Sequence, residues 1–209
     1  MSQSVVIPYL WPDEDGPRAK NIATVFSHLR DAGFAPDTWV GNSSDPWSPG
    51  RDRNRLALGK TDPIIVFNDA DSICPIDQMY QAIRLATEAP GLVFAYDLYV
   101  RRTKDGRDGE TFMGSPSMAC VAISRACFEE VGGFDESYVG WGYEDLDFAM
   151  RCNALWPNRR VTGPVYHLWH GDRNADDSPA DSVPSQVQAN LERFHLRGDN
   201  LRVVETWQR

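Results

Sequence analysis

The chain has 209 residues, a net charge of −9 and a hydrophobic fraction of 42%. It is long and apolar enough to bury one full core, which excludes a disordered protein. Its acidic balance argues against a protein that holds duplex nucleic acid through the phosphates. No apolar run approaches the roughly 20 residues of a membrane span, and the first residues do not form a signal peptide.

The four cysteines, Cys74, Cys120, Cys127 and Cys152, are scattered and form no C-x-x-C pair. This pattern predicts free, buried thiols in a reducing compartment rather than a zinc site. Together with the expected absence of a membrane span, it predicts a cytoplasmic protein.

Strand and helix signals alternate along the chain. Predicted strands cover 4–10, 38–41, 63–68, 91–100, 118–124 and 160–169, and predicted helices cover 21–32, 52–58, 76–88, 125–131, 144–155 and 186–195. The alternation predicts an α/β domain with a mostly parallel central sheet flanked by helices. Loops are predicted at 42–49, 101–110 and 171–184. In such a sheet, ligands bind beyond the carboxyl ends of the strands.

Two aspartates, Asp69 and Asp71, follow the strongly apolar strand predicted at 63–68. Carboxylates one residue apart at a strand end can share one hard cation. The alternative is ordinary turn chemistry, because aspartate is common in turns.

Two histidines, His167 and His170, lie near the end of another predicted strand. A turn there can direct both imidazoles at one ion. Taken alone, the histidines are better explained by polar packing at a strand end, but their pairing with Asp69 and Asp71 favours the ion. Imidazole combined with carboxylate suits Mn²⁺ better than Ca²⁺.

A glycine- and aromatic-rich segment at 140–143 precedes three acidic residues, Glu144, Asp145 and Asp147. Trp141 and Tyr143 offer flat faces on which a sugar or base can lie. A carboxylate beside such a face is suited to taking a proton from a hydroxyl.

The basic run at 51–55 begins the helix predicted at 52–58 and could reach a nucleotide base or phosphates. A solvated helix start is the alternative. The sequence has neither a P-loop nor a G-x-G-x-x-G after a strand, so a nucleotide would not be held in those ways.

Several motifs occur in the order of a known family: VIPY at 6–9, RNRLA at 53–57, VFNDADSICP at 66–75, AISR at 122–125, GGFD at 132–135, GWGYED at 140–145 and HLWH at 167–170. With them the chain resembles the GT-A-fold glycosyltransferases, especially the β-1,4-galactosyltransferase group and the large inverting glycosyltransferase family 2. The GWGYED segment is the most specific match. Tyr143 departs from the pattern, since a glycine is usual there.

The resemblance implies one GT-A domain over 1–209. Residues 1–75 would bind the nucleotide sugar and the metal, and residues 76–170 would bind the acceptor and include the metal-binding turn at 167–170. A flexible loop and a C-terminal helix would follow at 171–209. It implies an enzyme that moves a sugar from a nucleotide sugar, in particular a UDP-sugar, to an acceptor hydroxyl. Mn²⁺ or another divalent cation such as Mg²⁺ would be the cofactor.

The resemblance also implies residue roles. Asp145 would be the base and Glu144 would support it or orient the acceptor, next to Trp141 and Tyr143. For the donor, the resemblance implies Pro8, Tyr9, Arg53, Asn54 and Asp69. For the metal, it implies Asp71, His167, His170 and Asp69. Aspartate at 145, where the related retaining N-acetylgalactosaminyltransferases have asparagine, favours inversion.

A nucleotidyltransferase can share the fold and metal, but the acidic segment at 11–16 is unsuited to a phosphate loop. A catalytically silent carbohydrate-binding protein would have lost metal or base residues, and this chain keeps them. The acceptor is left open: it could be a glycan, a protein, a lipid-linked sugar, a small molecule or a modified nucleobase.

Overall fold

The computed structural model describes residues 4–9, 16–40, 47–140, 142–171 and 183–197. In chain order the elements are β1 (Ser4–Tyr9), α1 (Pro17–Asp31), β2 (Ala35–Val40), α2 (Pro49–Leu58), β3 (Ile64–Asn68), β4 (Ser72–Ile73), α3 (Ile76–Glu88), β5 (Leu92–Phe94), β6 (Leu98–Arg102), β7 (Asp108–Met113), β8 (Cys120–Ser124), α4 (Arg125–Glu130), α5 (Glu144–Leu155), β9 (Arg159–Arg160), β10 (Pro164–His167) and α6 (Val183–Leu196).

A six-stranded sheet in the order β2-β1-β3-β8-β5-β9 forms the centre of the molecule. β1 pairs in parallel with β2 and β3, and β5 pairs in parallel with β9, whereas β8 runs antiparallel to β3 and β5. All five residues of β3 and of β8 are buried, as in strands covered on both faces. The predicted α/β architecture with a mostly parallel central sheet is confirmed.

A second, four-stranded sheet in the order β4-β10-β6-β7 was not predicted. The single strands predicted at 91–100 and 160–169 are therefore wrong, because each is divided between the two sheets. Asp97 fixes the crossing point: its backbone N–H donates to the Gly163 carbonyl at 3.1 Å, and its carboxylate accepts from the Gly163 N–H at 2.9 Å. The chain can turn at Gly163 because this residue has a φ of 134°.

The charged turn predicted at 101–110 is the tip of a hairpin: residues 103–107 form the exposed turn, and the flanking residues belong to β6 and β7. Every residue of β7 is exposed, so this strand lacks the alternation of apolar and polar side chains that would predict it. Arg101 and Glu110 form an ion pair across the hairpin.

The helices follow the predictions closely. α3 and α5 have the predicted bounds, whereas α2 begins earlier than predicted, at Pro49. Ser48 caps α2 by accepting a hydrogen bond from the Arg51 N–H at 3.3 Å, and proline at the first helical position is a known start signal. Most of the loop predicted at 171–184 lies outside the described residues, as does most of the loop at 42–49.

Aromatic packing holds α5 against the central sheet. The rings of Phe134 and Phe148 stack with their centroids 3.9 Å apart, and Phe67 of β3 meets Phe134 edge-on at 5.4 Å. These aromatic contacts fix the start of α5 relative to the end of β3.

The four cysteines are free and buried, as predicted. They are Cys74, Cys120, Cys127 and Cys152.

Candidate active site

Asp71, His167 and His170 form a cluster that could hold a metal ion. β4 pairs antiparallel with β10, so that Ser72 lies opposite His167, and the Leu168 N–H donates to the Asp71 carbonyl at 2.7 Å. The Nε2 atoms of His167 and His170 lie 3.5 and 3.4 Å from Oδ2 of Asp71. One ligand atom from each of the three side chains falls within 4.8 Å of the others.

The Asp71 carboxylate is held in the ionised form that a divalent cation requires. Burial would raise the pKa of Asp71, but the two imidazoles and Arg18 lower it to about 2. Burial also lowers the pKa of His170, whereas for His167 the neighbouring Asp71 outweighs burial and raises the pKa. An ionised carboxylate beside imidazoles is a donor set that Mn²⁺ accepts, so the residues fit the predicted cofactor.

Asp69 lies outside this cluster of three and faces Arg53 instead. Its Oδ1 accepts a hydrogen bond from Nη2 of Arg53 at 2.8 Å. Burial, opposed by Arg53 and assisted by the charges of Asp145 and Asp71, raises the pKa of Asp69 to about 6. Asp69 is thus paired with Arg53 and is not part of the three-residue cluster.

Arg53 also reaches the base predicted on α5. Its Nη1 donates to Oδ1 of Asp145 at 2.9 Å, and the guanidinium lies 5.1 Å from the centroid of the Phe134 ring. Only 3% of Arg53 is exposed. The side chain expected to contact the donor is thus engaged with two carboxylates in the wall of the site.

Asp145 and Glu144 occupy the first turn of α5. The second carboxylate oxygen of Asp145, Oδ2, accepts from the Met118 N–H at 3.0 Å, so both oxygens are oriented. Glu144 is 5% exposed, and its Oε2 has no hydrogen-bond partner among the described residues. Burial, with the charge of Asp145 next, raises the pKa of Glu144 to about 8. The raised pKa favours the protonated form of Glu144 beside the predicted base.

These groups converge on one cleft with a volume of about 380 Å³. Of the predicted residues, the cleft is lined by Pro8, Arg53, Asp69, Asp71, Tyr143, Glu144, Asp145, His167 and His170. Asn54 is not in the lining. Its side chain donates to the Phe134 carbonyl and accepts from the Phe134 N–H, both at 2.9 Å. Asn54 supports the wall instead of facing the cleft.

Two predicted residues cannot be placed in this way. Trp141 lies outside the described residues, and for Tyr9 only the backbone is described. Tyr143 is placed: it adopts a left-handed conformation with a φ of 71°, and its ring lies 5.6 Å from that of Phe194 on α6.

Some lining residues were missed by the sequence analysis. They are Arg18, Trp47, Tyr99, Ser115 and Ser117. The Tyr96 hydroxyl donates to the Ser117 carbonyl at 2.6 Å, and Arg160 donates to the Ser115 carbonyl at 3.0 Å. These bonds fix the loop opposite α5. A short Ser-Pro-Ser stretch carries no motif that would have pointed to the cleft.

Comparisons with known proteins bear on this site and on the fold. A family model described as the N-terminal domain of galactosyltransferase matches residues 108–157, which include Glu144 and Asp145. A search of curated proteins found no match. In the described part of the chain, no helix has both the length and the hydrophobicity of a membrane span.

Solved glycosyltransferase structures share the fold. The catalytic domain of Drosophila β1,4-galactosyltransferase 7 with xylobiose matches with a TM-score of 0.56 and 20% identity over 92% of this chain and 81% of that chain. A mutant of that enzyme with manganese, UDP-Gal and xylobiose gives 0.52 and 18% over 89% and 79%. S. aureus TarS 1-349 with UDP-GlcNAc gives 0.58 and 13% over 94% and 66%.

At these identities the structural likeness establishes the fold, and the predicted GT-A fold is confirmed. The family match covers the segment that carries Asp145. Together they confirm the predicted resemblance to glycosyltransferases of this fold.

Proposed function

We propose that this chain transfers a sugar from a UDP-sugar to an acceptor hydroxyl, with inversion, and that the reaction depends on a divalent metal. The observation that carries the proposal is the convergence of the Asp71, His167 and His170 cluster with Glu144 and Asp145 in one cleft of about 380 Å³. Binding of manganese with UDP-Gal, and of UDP-GlcNAc, by proteins of the same fold supports the choice of ligands.

The metal residues are Asp71, His167 and His170, and the donor side includes Pro8 and Asp69. Mn²⁺ is the cation that this mixed donor set favours, with Mg²⁺ as the alternative. When bound, the cation offsets the negative charge that develops on the diphosphate of the leaving UDP.

Asp145 is the general base in this proposal. It removes the proton of the acceptor hydroxyl while the acceptor oxygen forms its bond to the anomeric carbon and the bond to UDP breaks. One displacement from the opposite face inverts the configuration. Glu144, whose raised pKa favours its protonated form, donates a hydrogen bond to the acceptor and so orients it.

Hydrolysis of the nucleotide sugar tests the proposal without knowledge of the acceptor, since water can slowly take the place of the acceptor hydroxyl. We expect the protein to release UDP from a UDP-sugar in Mn²⁺ but not in EDTA. A nucleotidyltransferase would instead release pyrophosphate from UTP, and a silent carbohydrate-binding protein would release neither. Either outcome, obtained with protein that binds UDP, would contradict the proposal.

A further inference from the structure

One buried guanidinium joins the two sides of the cleft. Arg53 on α2 donates to Asp69, which follows β3, at 2.8 Å and to Asp145 on α5 at 2.9 Å. The two acids lie far apart in sequence and belong to the proposed donor side and the proposed acceptor side respectively. Arg53 therefore links Asp69 and Asp145 directly through its hydrogen bonds.

The charge of Arg53 is secured by these contacts. Burial would lower its pKa, but Asp145, Asp69 and Glu144 raise it above its ordinary value. Arginine suits this position because its planar group presents several N–H donors in fixed directions, so that it can serve two carboxylates at once. A lysine ammonium has donors on one atom only and cannot span both acids in the same geometry.

The surroundings hold the guanidinium in place. The Phe134 ring lies 5.1 Å from it, and Asn54, the next residue on α2, is bonded to both the N–H and the carbonyl of Phe134. Asp145 receives its second hydrogen bond from the Met118 N–H. Arg53 and Met118 thereby determine how the carboxylate of Asp145 is turned.

We propose that Arg53 is a positioning residue, which orients Asp145 toward the acceptor hydroxyl and ties that orientation to Asp69 on the donor side. This inference rests on the proposed function. It differs from the donor-binding role that the sequence resemblance implied, because Arg53 then acts on turnover through Asp145 rather than on the affinity for the nucleotide.

Arg53→Lys separates these roles. It keeps the charge but loses the double contact, and a misplacement of about 1 Å at a reacting group can cost about 100-fold in rate. We expect kcat to fall about 10- to 100-fold while the Kd for UDP in Mn²⁺ changes by less than about threefold. Arg84→Lys, the same change on the exposed face of α3, is the matched control and should leave both values unaltered.

Turnover is to be expressed per UDP-binding site measured by calorimetry, so that unfolded protein does not contribute. A rise in the Kd for UDP with kcat unchanged would show a donor contact and overturn the inference. Loss of all UDP-binding sites in Arg53→Lys would also overturn it, since the residue would then serve the fold itself.

A double-mutant cycle provides the second test. If Arg53 acts through Asp145, adding Arg53→Lys to Asp145→Asn should lower the residual kcat by less than about threefold further, because effects of residues that act as a unit are non-additive. Full additivity would contradict the inference while leaving the base assignment intact. Unimpaired turnover in Asp145→Asn alone would instead contradict the proposed function.

Discussion

The Nε2 atom of His170 lies 3.4 Å from Oδ2 of Asp71, and the two-residue strand β4 is the reason that these side chains meet. Pairing of β4 with β10 places Ser72 opposite His167. Asp71, which directly precedes β4, therefore lies beside the segment 167–170. The candidate metal cluster is thus built where the start of β4 meets the end of β10.

The first prediction concerns metal-linked donor binding. UDP should bind at least about tenfold more tightly in Mn²⁺ than in EDTA, a difference of about 1.4 kcal/mol. Asp71→Ala should abolish the difference, because it removes the charged ligand of the cluster. Isothermal titration calorimetry measures both affinities.

Asp31→Asn, a neutralised aspartate on the exposed end of α1, is the control for the change in net charge and should retain the Mn²⁺ effect. Equal affinities in Mn²⁺ and EDTA for the unaltered protein would rule out the metal assignment.

The second prediction concerns the base. Asp145→Asn keeps the shape of the side chain but cannot accept a proton, so transfer should fall by at least about 100-fold. Binding of UDP with Mn²⁺ should persist. Steady-state turnover and calorimetry on the same sample test this, and near-normal turnover in a folded, UDP-binding variant would refute the assignment.

Asp147 provides a comparison with a different expected outcome. It is 2% exposed and forms ion pairs with Arg151 at 2.8 Å and Arg197 at 2.9 Å. Asp147→Asn should therefore cost about 1.5–3 kcal/mol of folding stability, while turnover per folded molecule is retained. Denaturant unfolding measures the stability, and turnover is expressed per active site. A fall in turnover per active site would show that Asp147 has a catalytic role.

The third prediction concerns the pH dependence set by Glu144. Its pKa rises from 4.5 in the unfolded chain to about 8 in the folded protein, through burial and Asp145. Between these values the folded state keeps a proton that the unfolded state has lost, so this group makes the protein less stable as pH rises.

Glu144→Gln removes that proton linkage. In EDTA its melting temperature should match that of the unaltered protein near pH 4.5 and exceed it increasingly toward pH 8. A scanning calorimetry series across this range provides the measurement. Parallel curves for the two proteins would show that Glu144 titrates alike in the folded and unfolded states.

Much of this organisation follows from the sequence, for reasons that can be stated. α3 and α5 have clear boundaries: Pro75 precedes α3, and a glycine-rich segment precedes α5. The D-x-D, histidine and acidic motifs lie at element ends, so the candidate site could be expected to form there.

Other features depend on contacts that no local pattern encodes. The apolar run through Ala95 and Tyr96 stays buried, which hides the change of sheet that the Asp97–Gly163 bonds impose. Arg53 stands in a basic run that a solvated helix would also explain, and only the fold reveals Asp69 and Asp145 as its partners.

The fourth prediction concerns Tyr143, where a glycine would be expected from the resemblance. Its left-handed backbone, with a φ of 71°, costs a non-glycine residue about 1–2 kcal/mol. Contact of its ring with Phe194 offsets part of this cost. Tyr143→Gly removes both the backbone strain and the ring contact with Phe194, whereas Tyr143→Ala removes the ring contact and keeps the strain.

We therefore expect Tyr143→Gly to be more stable than Tyr143→Ala by about 1–2 kcal/mol. Chemical denaturation of the two variants compares them directly. Equal stability would mean that the left-handed conformation at this position carries no cost.

The most direct test of the central claim is UDP release from UDP-Gal, UDP-Glc and UDP-GlcNAc, followed by chromatography with Mn²⁺ or EDTA. Unaltered protein should release UDP from at least one donor in Mn²⁺ only, and Asp71→Ala and Asp145→Asn should both lose this activity. UDP release that is equal in EDTA, or undiminished in both variants, would contradict a metal-dependent sugar transfer in this cleft.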